Sequence, residues 1–387
     1  MQRLLKFTKR FFKGLVVIVL LIIGLLYITD YEYILKGVRV VYLKGHTTAY
    51  IDDHPHFENM TIENGNSPQP WPLHKNYNTA SATSQLTETN TRLGTVAFLV
   101  IKNDSIWYEN YAEGYGTSSQ TNSFSMAKSI TSAMLGKAIK DGYIKSLDQP
   151  ISDFFEQYSN DQTTVGDLSS MSSGLDWQES YVSPFSVTAR SYYDDDLAET
   201  ILEQKVTEAP GKVYKYLSGN SQLLGMIIEK ASGKKLADYL SESLWQPMGA
   251  AQPGLWQVDD AEHQLAKTFC CIASNARDFA RFGKLYKDYG KWNGQQLLDS
   301  TFVATSIVPR FEASPEYGYG FWLSDHLDKQ MFVMRGILGQ YVITIPEDDL
   351  IIVRLGHQRG GFIGQPFTDD FYRYVEEAYA MLNTNSY

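Results

Sequence analysis

Apolar positions along this chain follow three patterns. Residues 14–28 form an uninterrupted apolar run, Gly-Leu-Val-Val-Ile-Val-Leu-Leu-Ile-Ile-Gly-Leu-Leu-Tyr-Ile, which predicts a membrane helix. Residues 95–102 and 105–111 are strand-like, and the Asn103-Asp104 pair between them predicts a hairpin. Three more strand-like runs lie near the other end, at 332–334, 340–345 and 350–355, with a turn over 346–349. Between these groups the apolar residues recur at helical spacing, as in Ile130, Met134, Leu135, Ala138 and Ile139. A further helix is predicted from about residue 367 to 382. Strands at both ends of a helical middle, 125 to about 298, predict an α/β (α+β) fold in which one sheet carries a largely helical insertion.

The first apolar run changes the picture of where the chain resides. Arg3, Lys6, Lys9, Arg10 and Lys13 precede it, and Phe11 and Phe12 lengthen it if the Lys13 stem snorkels. No small-x-small cleavage pattern follows Ile28, so an uncleaved anchor is expected in place of a signal peptide. The basic flank stays in the cytoplasm, which makes this a single-pass protein of a bacterial cell membrane with its remainder periplasmic or extracellular. Three segments result: 1–30 as basic stub and anchor, 31–92 as a Pro- and Ser/Thr/Asn-rich lead-in, and 93–387 as the main domain.

Composition sets limits. With 387 residues, 43% of them hydrophobic, the chain can bury a sizeable core, and a net charge of -10 argues against a nucleic-acid partner. The only cysteines, Cys270 and Cys271, are neighbours and read as two buried thiols with no structural disulfide. His54-Pro-His56 beside Asp52 and Asp53 lacks a second ligand cluster, so no metal is expected.

Candidate chemistry centres on Asn122-Ser-Phe-Ser-Met-Ala-Lys-Ser129. Ser125 and Lys128 stand three apart at the start of a helical run, which puts both on one face with the amine in reach of the hydroxyl. A serine is a weak nucleophile until a base takes its proton, and a lysine is such a base only when burial depresses its pKa. The second Ser-x-x-Lys, Ser232 to Lys235, sits at a helix end with Gly233 as cap and reads as a stop signal. Tyr216, in a loop just before another helix, is a candidate proton relay.

These stretches together resemble the serine β-lactamase and penicillin-binding family, within which the chain is most similar to the class C-related hydrolases of the 6-aminohexanoate-dimer hydrolase and carboxylesterase branch. The resemblance rests on Phe124 to Ser129, Leu168 to Asp176, Pro210-Gly211 with Tyr216, Ala276 to Gly283, and Gly336 to Gln340. It implies a β-lactamase/transpeptidase-like fold, an antiparallel sheet flanked by helices, and an acyl-enzyme on Ser125 with Lys128 and Tyr216 as general base. It implies an oxyanion hole from the backbone N–H groups of Ser125 and Leu338, and no cofactor or metal. The family's Tyr-x-Asn element is here Tyr216-Leu-Ser218, and its Lys-Thr-Gly or His-x-Gly element is Arg335-Gly-Ile-Leu338. Ser218, Arg335, Trp177 and Tyr181 are the substrate-binding candidates. The expected substrate is a small-molecule or peptide-like amide or ester. D-Ala-D-Ala carboxypeptidase or β-lactamase action, or non-catalytic binding of cell-wall peptide or β-lactam, are the alternatives.

Overall fold

The computed structural model describes residues 2–384; the last three residues of the expected main domain lie outside them. Helix α1, Gln2–Ile28, is continuous, and the apolar window that marks it as a candidate span has none of its residues buried. At 1.5 Å per residue it is about 40 Å long, more than the roughly 30 Å of a bilayer's hydrocarbon. After four intervening residues begins α2, Tyr33–Val40.

Antiparallel pairing organises the rest. The strands of the two larger sheets are β1 (Asn59–Ile62), β2 (Thr95–Lys102), β3 (Ser105–Tyr111), β4 (Thr121–Asn122), β5 (Gly254–Gln257), β6 (Ile272–Ser274), β7 (Trp322–Ser324), β8 (Met331–Gly336), β9 (Gln340–Ile345) and β10 (Leu350–Gly356). Six of them form the main sheet in the order β3-β2-β10-β9-β8-β7. Its β2–β3 hairpin turns on Asn103 and Asp104 at φ 50° and 55°, the left-handed pair that lets a two-residue turn match strand twist.

The sheet is buried on both faces, which explains why β2 is apolar at nearly every position. Ala97, Leu99 and Ile101 point to the larger core, whereas Phe98 and Val100 point to the smaller one. Helix α3, Met126–Lys140, and helix α6, Ala276–Lys287, lie on the larger side; helix α7, Asp369–Thr384, covers the other with Phe371, Tyr374, Val375 and Ala378. Each large side chain so buried contributes about 1.5–3 kcal/mol. Between α3 and α6 in sequence run α4, Val187–Tyr193, and α5, Ser218–Ser232.

The middle of the chain is less purely helical than its periodicity predicts. A second sheet, in the order β1-β5-β6-β4, joins the lead-in segment to the middle, with Asn59 opposite Gln257 and Thr121 opposite Ser274. Its strands are two to four residues long, too short for alternation to register.

Candidate active site

The second sheet delivers Ser125. After β4 the Ser123 amide donates to the carbonyl of Ile272 at 2.7 Å, and the Asn122 side chain accepts from the Phe124 amide at 2.9 Å. These bonds hold Phe124 at φ 45°, a region a bulky residue enters only when its surroundings enforce it. The chain thereby swings straight into α3, with Ser125 at its N-cap position.

Helix α3 is buried on nearly every side, so Lys128 goes inside with it at 3% exposure. Its Nζ lies 3.0 Å from Ser125 Oγ and donates to the Phe269 carbonyl at 2.7 Å. Burial pushes its pKa down to about 8, against the pull of the Glu179 carboxylate. Tyr216 completes the group: its ring centroid lies 5.1 Å from Lys128 Nζ, and its hydroxyl is near enough to Ser125 for the serine to pull its pKa down against burial. Burial raises the Tyr216 pKa to about 12, so this phenol keeps its proton. The structure brings together the three residues that the sequence singles out.

Glu179 is the residue sequence reasoning missed. It accepts from the Ser218 amide at 2.6 Å, the Ser218 hydroxyl at 2.8 Å and the indole N–H of Trp177 at 2.8 Å. Ser218, a substrate-binding candidate from the sequence, therefore spends its hydroxyl on Glu179. Trp177 is 4% exposed and packs on Gly219, where a Cβ would stand 2.5 Å from its ring. A direct substrate contact is not what this placement offers: Trp177 holds Glu179. Tyr181, by contrast, lies on the cleft rim.

The β8–β9 turn closes the opposite side. Gly336 packs so tightly on the Ser123 carbonyl that a Cβ would come within 2.3 Å of it, and Leu338 follows at φ 62° with its carbonyl held by Arg354 at 2.8 Å. Arg335 makes no ion pair among the described residues. Its guanidinium lies 4.7 Å from the Trp322 ring centroid and 5.2 Å from that of Phe367, and it donates to the Pro366 carbonyl at 2.7 Å. Trp322 in turn lies against Tyr216 at 5.2 Å, so Arg335 stands one ring behind the relay.

Ser125 opens into a hollow of about 90 Å³, walled by Phe124, Tyr181, Tyr192, Phe269, Cys270 and Ile337 among others. A larger hollow of about 760 Å³ beside β7, β8 and α7 touches none of Ser125, Lys128 and Tyr216. Chemistry, not size, selects the first. The two cysteines depart from expectation: Cys270 and Cys271 are joined to each other, with Cα atoms 3.7 Å apart and Cys271 at φ 78°. The left-handed backbone allows a ring that an extended pair could not close. Among the described residues, the one group of three acidic and imidazole side chains within ligating reach of one another is Asp259, Asp260 and His263; His54 and His56 do not belong to it.

Comparison with known proteins agrees with this geometry. The beta-lactamase family profile matches residues 80–367. The 6-aminohexanoate-dimer hydrolase of Paenarthrobacter ureafaciens is 25% identical over 286 residues, 67% of this chain and 72% of that protein. A D-aminopeptidase of Brucella ovis is 30% identical over 125 residues, 32% of this chain and only 24% of that longer protein. Among solved structures, the provisional 6-aminohexanoate-dimer hydrolase of Bacillus anthracis superposes with a TM-score of 0.72 at 20% identity, covering 90% of this chain and 93% of its own. A penicillin binding protein from Bacillus halodurans gives 0.60 at 16% identity, over 76% of this chain and 99% of its own, and both likenesses speak for the fold alone. With the family profile spanning most of the chain, the protein belongs to the beta-lactamase family and is a serine hydrolase.

Proposed function

We propose that this chain is a membrane-anchored, extracytoplasmic serine hydrolase that cleaves an amide or ester bond through an acyl-enzyme on Ser125. The observation that carries the reading is the buried amine of Lys128, 3.0 Å from the Ser125 hydroxyl with its pKa down to about 8. The Phe269 carbonyl takes one of its N–H groups, and in the neutral amine the lone pair is then free for the serine proton. Ser125 Oγ attacks the carbonyl carbon as its proton passes to Lys128. The Ser125 and Leu338 amides are the donors this reading assigns to the oxygen that gains charge, each such donor being worth about 3 kcal/mol. Tyr216, protonated at neutral pH, hands a proton to the departing amine or alcohol and is refilled from Lys128. Water then attacks the acyl-enzyme by the same relay in reverse.

Similarity to the 6-aminohexanoate-dimer hydrolase over two-thirds of the chain supports an amide among the substrates. The anchor rests on α1, exposed and led by five basic residues. Labelling the full chain in detergent with a fluorophosphonate, read by peptide mass spectrometry, tests the reading. Label on Ser125 that disappears in Lys128→Ala supports it; a folded protein that takes no label refutes it.

A further inference from the structure

The hollow beside Ser125 does not end at its own walls. Thr48, Tyr181, Ser183, Ala189 and Tyr193 also line a second hollow of about 110 Å³, whose far side is Gly37, Val38 and Val41. The two hollows thus adjoin across these shared residues, which mark the course of a passage from the nucleophile, past α4, to the face of α2.

That passage ends close to the end of the apolar helix. Tyr31, three residues beyond Ile28, sets its ring 5.4 Å from that of Phe185. Asp30 pairs with Arg190 at 2.5 Å, Tyr33 donates to the Pro184 carbonyl at 2.9 Å, and Lys36 pairs with Asp195 at 2.5 Å. Three residues of chain span at most about 10 Å. The headgroup layer on each side of a bilayer's hydrocarbon is about 5–8 Å deep. The loop carrying Phe185 is therefore held at the membrane surface if α1 spans. Its side chains suit that place: Val182 is 94% exposed and Phe185 61%, next to Ile28 at 84%. Apolar groups clustered and exposed in this way mark a surface that is covered in use.

We propose that the cleft opens into the membrane interface and takes a substrate whose ester or amide carries an aliphatic chain supplied by the bilayer, the chain lying in the passage between α2 and α4. This rests on the anchored serine hydrolase reading and adds the substrate class to it. The occupant is a lipid chain because the patch is continuous with the spanning helix, where lipid is already the neighbour.

The test uses the full chain in two ester series, with the aliphatic chain on the acyl side (p-nitrophenyl acetate to decanoate) or on the alcohol side (ethyl to decyl acetate). In one series kcat/KM is expected to rise about threefold to fourfold per methylene until the hollows are full. Ala189→Phe, which fills the shared wall, is expected to flatten that series while fluorophosphonate still labels Ser125. In vesicles, Phe185→Glu is expected to lower hydrolysis of embedded decanoate about tenfold and leave dissolved acetate ester unchanged. Flat profiles in both series, with acetate turned over, overturn this inference and leave the hydrolase standing. Equal vesicle activity of Phe185→Glu overturns it too, and points to a protein covering the patch. No turnover of any ester and no label on Ser125 fails the underlying reading instead.

Discussion

Two lysines are buried in this molecule within one short stretch of wall, and only one of them faces a nucleophile. Lys128 and Lys267 each donate to a backbone carbonyl, Phe269 at 2.7 Å and Tyr192 at 2.6 Å. Burial brings both pKa values down, to about 8 and about 7. Lys128 has Ser125 Oγ at 3.0 Å and Tyr216 beside it. Lys267 has the Phe57 ring at 4.7 Å and, farther off, the buried Asp53, which is occupied by Tyr192, Asn122 and Gln257. A depressed amine is therefore not in itself a catalytic base. What makes it one is a hydroxyl in reach on a helix that cannot move.

The sharpest test of the difference is substitution. Lys128→Met is expected to cost at least about 10³-fold in kcat/KM on any turned-over ester. Lys267→Met, which touches no reacting atom, is expected to stay within about tenfold of wild type. Its stability in urea melts at neutral pH is expected to change little, because the lost donor to the Tyr192 carbonyl is offset by removal of an amine that burial disfavours. Equal losses of activity from the two would erase the distinction.

Titration distinguishes them further. The proposed mechanism uses Lys128 as the neutral amine, so kcat/KM is expected to climb as pH rises, with a midpoint near 8. In Lys267→Met that limb stays where it is. Stability responds to both lysines. An unfolded lysine holds its proton to about pH 10.4, while the folded ones release theirs near 8 and 7. Between about pH 8 and 9.5 the unfolded chain binds more protons, and stability rises with pH by about 1.4 kcal/mol per pH unit for each neutral lysine. Lys267→Met is expected to halve that slope.

The smallest effect concerns Glu179, whose charge holds the Lys128 pKa up. Glu179→Gln keeps most of the hydrogen-bonding shape while removing the charge, and is expected to move the activity limb to lower pH by less than about one unit. A shift to higher pH would show that the carboxylate acts on the lysine by some route other than its charge.

What the sequence made legible follows from distance along the chain. Ser125 and Lys128 are neighbours on one helix, so spacing alone pairs them, and Tyr216 came with the family pattern. Five of the main sheet's six strands were readable because they are six to eight residues long and mostly apolar, whereas the three-residue β7 is too short to register. Glu179 was not, since a carboxylate in a loop acquires meaning only when the fold brings Ser218 and Trp177 to it. The Asp53–Lys267 region is hidden for the same reason, its members lying more than 200 residues apart. The Cys270–Cys271 bond was misread because adjacency argues against a staple unless the backbone turns left-handed between them, which no spacing reveals.

The clasp between the helix end and the cleft wall has a practical consequence. Asp30 and Tyr31 are where one would cut to free the domain from the apolar helix α1, yet both hold the loop and helix that form the mouth of the site. Shortening the chain there removes a counter-ion from Arg190 and a ring from Phe185. A solubilising deletion would thus loosen the wall of the outer hollow as well as remove α1, and a fragment's loss of long-chain turnover would report both changes at once.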